Sequence, residues 1–296
     1  MMSLLPELVF WLTTAFLAAA SYFDLKTGEI PEKISRSLIV LMLAMAAAET
    51  FFSLQASYLI YSAVIGIGFF LVGYLMFYLG EWGGGDVKIL AGIGCSLGLL
   101  GAAGYFIRLQ GIFPYYLDYF INFALAATPY IIAYTFALGL LKPAVFRGFS
   151  MNLANKKAIM LLIISFLPAV SSIILGMHQL TLIYLLVPLL VILTFYLKAV
   201  EDIALQKTIP LKELQEEDIL ASDLVVEGKR IAGRRDAGGL SKNQLTEIMA
   251  AASQGKIPDS IAIRWGIRFI PVFFLAYLLT YFVGGALELV VAYFMA

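Results

Sequence analysis

Cysteine and histidine are almost missing from this chain: one of each, Cys95 and His178, in 296 residues. A single cysteine cannot close an internal disulfide, and inside an apolar run Cys95 is expected to be a small packing residue. One histidine excludes a metal site built on several imidazoles, and His178 falls in a short loop where solvation is expected. No metal and no other cofactor is expected. Charge is scarce too: 14% of residues, against about 25% in a soluble domain. The formal net charge is zero, and nothing indicates nucleic acid as a partner.

What fills the space is hydrocarbon. Hydrophobic residues make up 61% of the chain and the mean hydropathy is +0.91, which places it among polytopic membrane proteins, with the lipid bilayer as its surroundings. About 20 apolar residues cross roughly 30 Å of hydrocarbon as a helix. Eight stretches approach that length: 4–23, 38–52, 58–79, 87–107, 119–141, 158–177, 180–197 and 267–283. The expected fold is therefore all-α and polytopic, with about eight transmembrane helices. The first run lacks a basic lead-in and is followed by Asp24-Leu25-Lys26, so it reads as a span rather than a cleavable signal. With the amino terminus outside, every Lys and Arg except Arg108 falls in a cytoplasmic loop, as the positive-inside rule requires.

One segment breaks the pattern. Residues 201–264 carry most of the acidic side chains and read as a small α+β cytoplasmic insert between a membrane part, 1–200, and a carboxy-terminal membrane helix, 265–296. Strand-like residues flank a turn at Glu227-Gly228. Ser241 and Gln244 then form a capping-box signature for a helix that Gly255 should end. At this size the insert is marginal alone, so it should pack on nearby loops or helix ends.

Two aspartates carry the chemistry. Asp24 ends the first apolar run, and Asp86 follows Gly83-Gly84-Gly85 at the start of the fourth. Carboxylates at the edge of hydrocarbon are functional candidates. Two carboxyl groups sharing a proton can hydrolyse a peptide bond: one draws a proton from water, the other donates to the carbonyl oxygen. Asp24 lies at the carboxyl end of its helix and Asp86 at the amino end of its own, so Asp24 is expected to hold the shared proton and Asp86 the charge. Three glycines expose backbone against which a substrate strand could lie. Glu29, Glu32 and Glu81 flank the pair on the same face and could attract a basic peptide, though ordinary solvated loop charge is the favoured account of them. Lys88, two residues past Asp86, is expected to point away toward lipid phosphates or a loop. Glu49 and Glu288 lie near outer span ends, where interfacial solvation is expected.

Phe23-Asp24 after the first span and Gly83-Gly84-Gly85-Asp86-Val87-Lys88 opening the fourth resemble the prepilin and preflagellin peptidases, membrane aspartic proteases of the GxGD type. The likeness is strongest over residues 5–110. Gly239-Leu240-Ser241-Lys242 and Gly255-Lys256-Ile257-Pro258-Asp259 also resemble the carboxy-terminal region of archaeal members. The resemblance implies Asp24 and Asp86 as the catalytic pair. The implied reaction is removal, at the cytoplasmic face of the cell membrane, of a short basic leader from pilin-like or archaellin precursors, just before the substrate's hydrophobic helix. The chain departs from many bacterial relatives in lacking their cysteine-rich loop, so methylation of the new amino terminus is not expected. Eight spans also exceed the six usual for the family core.

Two other readings stay open. Presenilin-like and signal-peptide-peptidase-like proteases use GxGD too, with a late Pro-Ala-Leu segment; here Pro143-Ala144-Val145 and Pro168-Ala169-Val170 come nearest. A proton- or cation-coupled transporter could also employ two boundary acids and broken helices.

Overall fold

A computed structural model describes residues 4–106, 113–233, 236 and 239–288. Arg108, the basic residue expected outside, and Ile107, the expected end of the fourth span, lie outside the described residues.

The described chain is a polytopic all-α membrane protein carrying a small sheet. Seven helical spans are long and apolar enough to cross a membrane. The first five are single helices: α1 (Leu5–Thr27), α2 (Glu32–Ser53), α3 (Ser57–Tyr78), α4 (Gly84–Ala102) and α5 (Tyr115–Leu141). Two more are each broken in two. The span Lys156–Ile174 comprises α7 (Lys156–Ser165) and α8 (Leu167–Ile174), and His178–Ile203 comprises α9 (His178–Tyr184) and α10 (Leu186–Ile203). Pro168 and Pro188 stand just after the breaks, where each lacks the N–H that would continue the ladder.

Three expectations change. The second span is not short: α2 starts at Glu32, directly after Pro31, and runs 22 residues. The eighth span is not full length. Its helix, α12 (Ile270–Phe282), has 13 residues, about 20 Å at 1.5 Å per residue. Residues 265–269 instead form a non-helical passage into the core. Finally, α6 (Ala144–Leu153) occupies what reads as a loop; ten residues cannot span a bilayer, and the helix packs through Val145 on Ala199 and Val200 of α10.

The core gathers around α4, the most enclosed of the spans. Its glycines let other helices approach closely: a side chain at Gly98 would fall on the backbone of Tyr61 and Ser62 in α3, and one at Gly94 on Phe69 and the Ile65 carbonyl. This is the small-residue packing that membrane helices use where water supplies no hydrophobic drive. Deep within, Thr13 Oγ1 donates to Ser96 Oγ at 2.8 Å, and Ser96 Oγ meets the Tyr277 hydroxyl at 3.0 Å. These bonds tie α1, α4 and α12 together, so the short last helix is built into the core.

Between α10 and α12 lies the sheet region. β1 (Gln206–Pro210), β5 (Ser260–Arg264) and β2 (Ile219–Leu220) form an antiparallel sheet in the order β1-β5-β2, with Thr208 opposite Ala262. A hairpin joins β3 (Leu224–Val226) to β4 (Lys229–Ala232) through Glu227 and Gly228, both at positive φ. Helix α11 (Lys242–Ser253) starts with the capping box: Gln244 N–H donates to Ser241 Oγ, and Ser241 N–H to Gln244 Oε1 at 2.9 Å. Ile209, Leu220, Ile231, Ile248 and Ile263 close a separate apolar core here. The unit is tied to the membrane helices by Trp265 N–H donating to the Leu205 carbonyl at 2.7 Å, Lys142 Nζ donating to the Ala204 carbonyl at 3.0 Å, and an Arg264–Glu201 ion pair.

Candidate active site

Gly83, extended at φ −81°, is the N-cap of α4, and Gly84 and Gly85 form its first turn. The glycines thus start a helix rather than forming a loose strand. Asp86 sits at the third helical position and accepts the Gly83 N–H at 3.0 Å. The absent side chain of Gly85 leaves room for Ile30, and that of Gly84 faces the Glu217 carboxylate. Trp82, just before the glycines, is anchored between α5 and α12, with ring centroids 5.9 Å from Phe123 and 5.1 Å from Phe273. That wedge holds the turn against the membrane core.

Asp24 is buried in the last turn of α1. Its carboxylate accepts the backbone N–H of Ile270 at 3.1 Å, the first residue of α12. Each aspartate therefore takes an N–H at the amino end of a helix, Asp86 from α4 and Asp24 from α12. The asymmetry expected from the ends of α1 and α4 loses its basis, because the positive end of α12 is aimed at Asp24. The two acids meet on one cavity of about 820 Å³, and the charge of Asp24 acts on Asp86.

The cavity has two walls. From the membrane part come Asp24, Asp86, Gly83, Gly84, Gly85, Glu29 and Glu81; from the sheet unit and the passage after it come Glu217, Asp218, Trp265 and Arg268, among others. Burial raises the Asp218 carboxyl above its ordinary range and the nearby Glu29 charge adds to this, while the Gln215 N–H it accepts opposes both. Asp218 thus senses the α1–α2 turn, so the sheet unit forms the far side of the cleft.

Glu32 goes elsewhere. Its carboxylate is shared by Arg36 at 2.8 Å and Lys88 at 2.9 Å, and it is absent from the described cavity wall. Lys88 accordingly reaches Glu32 on α2 rather than lipid. Nor is the rim purely acidic: Lys207, Lys212 and Arg264 line the sheet side. Trp82, Trp265, Arg268 and the Ile270 N–H escape sequence reasoning, because nothing near Asp24 in the chain points 246 residues ahead. The one available signal was Arg268 as the last basic residue before the final apolar run. Among the described residues no group of three or more Asp, Glu, His or Cys side chains is placed to hold a metal ion.

Comparison with known proteins bears on this geometry. Residues 11–144 match the Type IV leader peptidase family, a segment that holds both aspartates and the glycine turn. A prepilin peptidase of Methanothermobacter thermautotrophicus is 25% identical over 90% of this chain and 91% of its own. A preflagellin peptidase of Methanocaldococcus jannaschii is 38% identical over 81 residues, 27% of this chain and 34% of its own. No solved structure matches.

Proposed function

We propose that this chain, a relative of the type IV leader peptidases, is a membrane aspartic endopeptidase that removes the leader from prepilin-like or preflagellin precursors, with Asp24 and Asp86 as its catalytic pair. The observation that carries this reading is the meeting, on one open cavity, of two carboxylates that both belong to the family-matched segment and that each accept an N–H at a helix amino terminus. An ionised member of the pair takes a proton from water as the oxygen attacks the scissile carbonyl. The other, protonated, gives its proton to the carbonyl oxygen.

The distribution of Lys and Arg supports an amino terminus outside and a cleft open to the cytoplasm, where a leader is presented before its hydrophobic helix. On this reading residues 201–264 form a cytoplasmic unit set between membrane parts 1–200 and 265–296. The glycine turn admits the substrate backbone beside Asp86, and Glu29 and Glu81 attract the leader's basic residues. The presenilin-like reading gains nothing, because neither Pro143 nor Pro168 is among the described residues of the cavity wall. The transporter reading leaves the relationship to peptidases unexplained.

Membranes containing the protein, mixed with leader-bearing pilin precursors, should yield a shortened product whose new amino terminus lies just before the hydrophobic helix. Precursors left intact, while an established leader peptidase cuts them in the same assay, would overturn the reading.

A further inference from the structure

Two acids at the edge of hydrocarbon need compensation before either can stay ionised. Two N–H groups and two helix starts supply part of it. The passage between β5 and α12 supplies a full charge. There the Arg268 guanidinium stacks 4.5 Å from the Trp265 ring and lies so close to Gly28 that any side chain at 28 would overlap it. Gly28 caps α1 at φ 81°, its N–H bonded to the Asp24 carbonyl at 2.9 Å. The residue that ends the helix of Asp24 thereby makes the seat for the arginine.

Arg268 makes no ion pair among the described residues, yet its charge acts on both Asp24 and Asp86. Tyr130 and Tyr134 of α5 also feel it. On the far side, Lys207 of β1 contacts the same Trp265 ring at 4.9 Å. Glu29 and Glu81 face the pair from the membrane side, and Lys212, Glu213, Glu217, Asp218 and Arg264 from the sheet side. An arginine suits this seat because it does not deprotonate and its planar group stacks on indole.

We propose that Arg268 is a positioning residue for the cleavage reaction, a fixed cation that holds the Asp24–Asp86 pair singly ionised. The inference rests on the pair being catalytic. With two neutral carboxylic acids no group could take the proton from water; with two carboxylates none could give one.

The test is the pH profile of kcat/KM for Arg268→Gln, Arg268→Lys and Trp265→Leu, measured on a leader-bearing precursor beside Asp24→Asn and Asp86→Asn. Losing the cation weakens both acids, so Arg268→Gln should move both limbs to higher pH by about one unit, which is about tenfold lower kcat/KM on the acid limb. Arg268→Lys should restore the position of the limbs, and Trp265→Leu should give a smaller shift in the same direction. If Arg268→Gln fails to insert or runs as aggregate, Trp265→Leu decides on the same criterion. Limbs that stay in place while activity falls equally at every pH would overturn the proposal and leave Arg268 a packing residue. Activity persisting in Asp24→Asn or Asp86→Asn would instead overturn the catalytic pair, and this inference with it.

Discussion

At the scale of single residues the site is a matter of which charges are already satisfied. Glu32 is held by Arg36 and Lys88, whereas Glu29 and Glu81 are exposed on the cavity wall. An exposed ion pair contributes about 0–1 kcal/mol, so either single Gln substitution should be mild. The double variant Glu29→Gln/Glu81→Gln should raise KM several-fold for a basic leader with little change in kcat, the pattern of lost uniform binding. Added salt should imitate it, and Glu32→Gln should change nothing. Steady-state kinetics on a basic and a charge-neutralised leader separates the cases; equal loss on both would mean the glutamates do not read leader charge. The two aspartates were legible in the sequence because each interrupts hydrocarbon at a helix end, where a charge needs a reason. The partners of Asp24 were not, since Ile270 and Arg268 are brought to it only by tertiary packing.

At the scale of elements, α4 is the post around which the spans are arranged, and its glycines set how closely α3 can stand. Gly98→Ala would push the two backbones apart, and overpacking of this kind costs about 1–3 kcal/mol. Gly94→Ala should act in the same direction, with Phe69 yielding part of the strain. Gly68, which has open space where a side chain would go, is the control, and Gly68→Ala should be neutral or slightly stabilising. Thermal unfolding of the purified variants in one detergent checks the order; an unfolding temperature for Gly98→Ala equal to that of Gly68→Ala would contradict it. Helix type and number were largely readable from apolar run length, and the capping box at Ser241 and turn at Glu227-Gly228 from local chemistry. The short α12 and the extra α6 were not. The first is decided by the passage 265–269 being drawn across the cleft, and the second by an amphipathic pattern too short to register as a span.

At the scale of the whole molecule, the sheet unit and α12 complete a cleft that the family-matched segment only begins. The topology proposed for it can be read by labelling, in a background where Cys95 is replaced by alanine. Cysteines placed at the exposed positions Lys33 and Ser222 should react with membrane-impermeant thiol reagents only from the cytoplasmic side, and one at Gln55 only from outside. Ser35, two residues further along α2, is fully buried and would report nothing. The reverse pattern would invert the orientation and remove a cytoplasmic cleft.

The central claim is that Asp24 and Asp86 act as one catalytic unit, and mass spectrometry of the cleaved precursor tests it most directly. Asp24→Asn and Asp86→Asn remove one titrating group each from a pair that must share a proton, while keeping size and an oxygen that can accept the Ile270 or Gly83 N–H. Each variant should insert and unfold much like the parent, yet leave the precursor full length, with product reduced by about a hundredfold or more, as expected when general acid–base catalysis is lost. A correctly cut product from either variant at the parental rate would contradict the account.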